Sequence, residues 1–130
     1  MTKEETIRSF LESAESNRAT AERNFEHKDY MGCLFIWHLV LEKTLKAKIV
    51  KIDKDIPFVH DLAKLALIAE YKGLEKRKND LDEITSYNIE ARYEDEKREL
   101  YKKADIAYTT EWKAVCQEIY EDILNEMEKV

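Results

Sequence analysis

The chain has 130 residues, 38% of them charged and 10% aromatic, and a net charge of −6. At that length one domain forms a core without disulfides or metals, burying roughly two-thirds of the surface its unfolded chain exposes. Two Gly and one Pro are too few turn residues for a sheet protein, no stretch approaches the ~18 apolar residues of a membrane span, and the net charge has the wrong sign for a surface coated to hold duplex.

Thr2 and Glu5 have the S/T-x-x-E form of a capping box, and Ile7, Phe10, Leu11, Ala14, Ala21 and Phe25 follow at helical spacing. Asp29 predicts the N-cap of a second helix, 30 to about 50, so apolar between Met31 and Leu41 that it belongs at the centre. "KIDKDIP" breaks the pattern, because Asp favours turns and Pro57 drives Ile56 away from helical geometry. A third helix, about 59–70, offers Leu62, Leu65, Ala66 and Ala69, with Gly73 expected as a left-handed C-cap. The fourth, 74 to about 93, has one narrow stripe of Leu74, Leu81, Ile84, Tyr87 and Ala91 and reads as peripheral. Asp95 restarts the chain into a last helix carrying Leu100, Ala104, Tyr108, Trp112, Cys116, Ile119 and Ile123. The expected fold is all-α: a single domain over 1–130, built as a four- or five-helix up-and-down antiparallel bundle. Trp37 should be buried with its indole N–H satisfied, and His38 should lie nearer a helix boundary or cleft. Tyr120, Leu124 and Met127 form a displaced apolar face on the last helix, which predicts a homodimer.

Cys33 and Cys116 lie among apolar neighbours without CxxC spacing, so they read as core residues in a reducing compartment, and a cytoplasmic location is expected. The starting stretch MTKEETIRSF has no apolar h-region, in keeping with that. Charge is uneven: Lys43, Lys46, Lys48, Lys51 and Lys54 cluster in one segment, and Glu118, Glu121, Asp122, Glu126 and Glu128 in another. Either a mixed solvated surface or an anion-binding face fits that distribution. No Glu-x-x-His pair exists to build a di-metal bundle, and His38 with Glu42 at i, i+4 reads as a side-chain pair, so no metal or other cofactor is expected. There is no Gly-rich phosphate loop and no spacing that supports a nucleophile with its base. His60 and Asp61 stand at the start of the third helix, where a carboxylate is favoured by free backbone donors.

Four stretches in order resemble a HEPN domain, the all-helical module of higher eukaryotes and prokaryotes named for nucleotide binding. They are "DY" at 29–30, "LEKTLKA" at 41–47, "HDL" after a proline at 60–62, and Y-N-x-E-A-R-Y at 87–93. The resemblance implies four or five helices, frequent homodimerisation, frequent partnership with a minimal nucleotidyltransferase, and nucleotide or RNA binding as the usual theme. Many such domains are metal-independent ribonucleases through Arg-x4-6-His, in which His exchanges a proton while Arg steadies the phosphorane charge. Here Arg92 is followed at the allowed distances by Lys97, Arg98 and Glu99, and no histidine lies after His60. That departure argues against this ribonuclease activity and assigns no catalytic residue. Arg92 reads equally as an anion contact or as a structural partner of Glu90, Asp95 or Glu96. A non-catalytic binding module would gather Arg92, Tyr93, Tyr87, His60 and Lys46 around a cleft, the cations meeting phosphate and the tyrosines offering stacking faces. The alternatives are a protein-interaction subunit of toxin–antitoxin type with little ligand chemistry of its own, or a ribonuclease using a non-standard site.

Overall fold

A computed structural model of the chain describes residues 1–129. These form α1 (Lys3–Glu26), α2 (Tyr30–Lys51), α3 (Leu62–Ile68), α4 (Leu74–Thr85), a single 3-10 turn (Ile89–Ala91), α5 (Glu94–Lys103) and α6 (Ile106–Glu128). Local chemistry sets the starts: Thr2 accepts from the Glu5 N–H, Asp29 from Gly32, Asp61 from Lys64 and Asp105 from Tyr108.

The four long helices alternate in direction. Lys113 meets Glu22 and Tyr120 meets Glu15, so numbering rises along α6 as it falls along α1. Arg77 meets Glu118 and Glu83 meets Tyr108, which runs α4 against α6. α2 follows α1 through a tight turn and packs along it and along α6. The result is an up-down-up-down bundle of α1, α2, α4 and α6, with α3 and α5 as short lateral helices. α2 is its axis: twelve of its residues, including Leu34, Trp37, Leu41 and Leu45, are buried.

Several expectations are corrected. The fourth helix stops at Thr85 rather than near 93, and the last run is two helices, because Ala104 ends α5 and Asp105 caps α6. Six α-helices result instead of five. Gly73 is not left-handed, its φ being −79°; the third helix ends on Glu70, with φ 55°. There Tyr71 N–H donates to Ala66 O and Glu70 N–H to Leu67 O, a Schellman ending without glycine. Glycine at 73 answers a close approach instead, since a Cβ would lie 2.6 Å from the Tyr71 ring. Trp37 is buried, stacked edge-on to Tyr120, but its Nε1–H has no partner among the described residues. The displaced face of α6 is not free for a second copy: Tyr120 and Met127 are buried within the chain and Leu124 is half-buried.

The lysine-rich segment is largely spent internally. Lys43 donates to Ser13 and Asn17, Lys46 to Glu42, and Lys48 to Ala69 O, Glu70 O and Glu126, while Lys54 pairs with Glu70. The basic segment is therefore not an open anion-binding face.

Candidate functional site

On α2, Phe35, His38, Leu39 and Glu42 fall at i, i+3, i+4 and i+7 and share one stripe. The segments that close over it are the loop before α3, which brings His60, and the 3-10 turn region, which brings Asn88, Glu90 and Ala91. Irregular backbone cannot fill the space as a packed helix would, and a pocket of about 240 Å³ remains.

Glu42 is the hub. Its Oε1 accepts from His60 Nδ1 at 2.9 Å and its Oε2 accepts from Lys46 Nζ at 3.0 Å. Burial works to raise the Glu42 pKa, but the hydrogen bonds from His60 and Lys46 outweigh it and hold the carboxyl below its ordinary value. His38 is wholly buried, and its Nε2 lies 3.4 Å from His60 O and 3.7 Å from Glu42 Oε1. Both neighbours are acceptors, so Nε2 carries the ring proton and Nδ1 presents a lone pair. That Nδ1 is buried and has no partner among the described residues. Burial, chiefly, lowers the His38 pKa; Glu42 and the His60 carbonyl oppose this, and the charges of His60 and Arg92 add to it. The ring is neutral at pH 7.

Arg92 lies one residue past Ala91, at the end of the 3-10 turn on extended backbone. Nη1 donates to Glu96 and Nη2 to the Thr85 carbonyl, each at 3.2 Å, while the buried Nε–H has no partner among the described residues. The guanidinium borders a second cleft of about 240 Å³, shared with Ser86, Glu96, Glu99, Leu100 and Lys103. Of the three acids expected beside Arg92, Glu96 is the partner, while Asp95 pairs with Arg98.

Two of the residues singled out from sequence thus come together: His60 and Lys46 meet through Glu42, while Arg92 contacts Glu96 and the Thr85 carbonyl and lines the other cleft. Tyr93 stands next to Arg92 with its ring 83% exposed, accessible to a ligand but unsupported. Tyr87 is a correction. It is fully buried, its hydroxyl 2.7 Å from that of Tyr108, which donates to Glu83, and its ring lies edge-on to Trp112. It is a core residue with no face for stacking. Sequence reasoning read His38 and Glu42 as a side-chain pair at i, i+4 but did not assign them to the site.

The sequence model of the HEPN domain matches residues 7–130. The chain belongs to the HEPN domain family. Comparison with curated proteins gave no match, and comparison with solved structures gave none. Family membership gives this HEPN domain a nucleotide- or RNA-related theme at the level of the family. Among the described residues no group of three or more His, Cys, Asp or Glu is placed to hold a metal, and no helix is long and apolar enough to cross a membrane.

Proposed function

We propose that this HEPN domain is a non-catalytic nucleotide- or RNA-binding module whose phosphate contact is Arg92. What supports the reading is the state of the Arg92 guanidinium. It makes single contacts to Glu96 and to a backbone carbonyl instead of a two-pronged carboxylate pair, and it borders an open cleft with Ser86 and with Lys103, whose ammonium is paired with Glu83. A phosphate offers that planar fork the bidentate acceptor it lacks. Glu96 shifts on its exposed helix to admit it, and Tyr93 is free to lie against a base. No histidine follows Arg92 at ribonuclease spacing, and Lys97, Arg98 and Glu99 stand in the positions where a proton-exchanging ring is required. In keeping with its family, the domain acts as a homodimer and alongside a minimal nucleotidyltransferase.

The test is binding of labelled pentanucleotide RNAs by fluorescence anisotropy across a salt series. Affinity should fall as salt rises, and Arg92→Ala should weaken it about tenfold or more, the worth of a charge-assisted hydrogen bond, with the unfolding midpoint retained. Salt-insensitive binding that Arg92→Ala leaves untouched would make Arg92 a structural residue. RNA cleavage by a nuclease-free preparation, abolished by the same substitution, would overturn the non-catalytic reading.

A further inference from the structure

We infer that the pocket between the α1–α2 turn and the start of α6 is a second nucleotide subsite, taking a base and its phosphate from the same RNA strand that Arg92 anchors. This rests on the phosphate reading of Arg92 and extends it along α5.

Of the seven tyrosines in the chain, only Tyr93 and Tyr101 are largely exposed, at 83% and 71%. Each adjoins a cation, Arg92 before Tyr93 at the start of α5 and Lys102 after Tyr101 in its last turn. The helical rise between them puts the two pairs about 12 Å apart along α5, roughly four steps of a stacked strand at ~3.4 Å each. Aromatic faces interleaved with positive charge suit a single strand, because stacking accepts any base while the cations follow the phosphates.

The pocket beside Tyr101 holds about 370 Å³, within the range of small-molecule sites. Tyr30 and Met31 line it from the start of α2, Tyr101 and Lys102 from α5, and Lys28 from the turn. The Tyr30 ring packs on Phe25 with centroids 5.5 Å apart, which braces it as a stacking wall. Two carboxylates also line the pocket, and both are engaged elsewhere. Asp29 accepts from the Gly32 N–H and Asp105 from the Tyr108 N–H, so their charge serves the positive ends of α2 and α6. The lysines are not so engaged. Lys97, Arg98 and Lys103 are taken by Glu94, Asp95 and Glu83, whereas Lys28 and Lys102 form no ion pair among the described residues. Two unpaired ammonium groups beside two aromatic rings suit a ligand both flat and anionic, which a nucleotide is.

Lys102 also joins the two sites. It lies on the side of α5 away from the buried Leu100, where it lines the pocket and, with Arg98 and Glu99, a groove over the helix; Glu99 continues that groove to the cleft of Arg92. Glu99 is the one acid of α5 without an ion pair among the described residues, and it stands in the path of the strand.

The experiment measures anisotropy of labelled rA dimers and pentamers across a salt series for the parent, Tyr101→Ala, Tyr101→Phe and the double variant Lys28→Asn, Lys102→Gln; asparagine tolerates the φ of 63° at position 28. The pentamer spans both sites and should bind about tenfold or more tighter than the dimer. Tyr101→Ala should weaken the pentamer about tenfold, the scale of one lost stack, with the salt slope unchanged, and Tyr101→Phe should bind like the parent. The double lysine variant should lower the slope of log K against log salt by about 0.7, one phosphate contact on a single strand. Glu99→Gln should tighten the pentamer. If Arg92→Ala weakens the pentamer while the Tyr101 and lysine variants bind like the parent, the second subsite is overturned and the Arg92 site is spared. If the pocket variants weaken it and Arg92→Ala does not, the pocket stands and the Arg92 reading falls. A dimer that binds as tightly as the pentamer would overturn the spanning strand, and absence of binding by either RNA would sink both sites.

Discussion

Lys48→Met tests how far the bundle depends on a single buried cation. Lys48 is 3% exposed, and its ammonium donates to Ala69 O at 2.7 Å and Glu70 O at 2.9 Å, and pairs with Glu126 at 3.1 Å. It thereby ties α2 to the end of α3 and to α6, at one of the three helix ends, with Lys28 after α1 and Asp53 after α2, where a non-glycine residue is left-handed. Methionine keeps the length and apolar stem but removes all three donors. Two carbonyls and a carboxylate then lose their partner, and breaking a buried pair from one side costs about 3–5 kcal/mol. Glu126 keeps the Lys72 backbone N–H at 3.0 Å, which softens its loss and points to the lower end. A loss of about 3 kcal/mol is expected, more than a hundredfold in the folding equilibrium. Urea unfolding of Lys48→Met, Glu126→Gln and the double variant measures it. The double variant should cost clearly less than the sum, since neutralising Glu126 removes the stranded charge. A loss within about 0.5 kcal/mol for Lys48→Met, the range of an ordinary surface change, would refute the reasoning.

Three further outcomes are expected. Trp37→Ala should cost about 3–5 kcal/mol by urea unfolding, whereas Trp37→Phe should cost distinctly less, because it also removes an unpartnered buried N–H. For Glu42 the folded carboxyl titrates below its ordinary value of 4.5, so its stabilising contribution is complete above that pH and disappears as pH falls through the folded value. Stability measured from pH 6 down to pH 3 should therefore decline less steeply in Glu42→Gln than in the parent; parallel acid limbs would contradict the assignment. Gly73→Ala should destabilise by about 1–3 kcal/mol through overpacking, since the new Cβ meets a Tyr71 ring that Asp122 anchors at 2.8 Å; a neutral or stabilising result would show that the ring yields freely.

The residues by themselves determined the class of fold and its axis. Scarce glycine and proline, caps at Thr2, Asp29 and Asp61, and a segment apolar on nearly every side are local signals, and local signals suffice to make helices and to say which one is central. The same reading marked Arg92, Tyr93, Tyr87, His60 and Lys46 as residues for one site. Tertiary structure decided what these groups do. Only packing shows that Tyr87 is core, because its stripe is shared by residues that face α6 and by residues that face solvent. Only packing shows that Lys48 and Lys43 are consumed inside the bundle while Arg92 keeps an open side. The end of α3 was illegible for a related reason: a left-handed glutamate is unfavourable locally, as are Lys28 and Asp53 at the ends of α1 and α2, and the lysine that bonds the Glu70 carbonyl lies twenty-two positions earlier. The His38–Glu42–His60 cluster likewise joins one helix to a loop eighteen residues further on. Spacing on a single helix places His38 beside Glu42, but the third member and the pocket above them come from how the loop folds back.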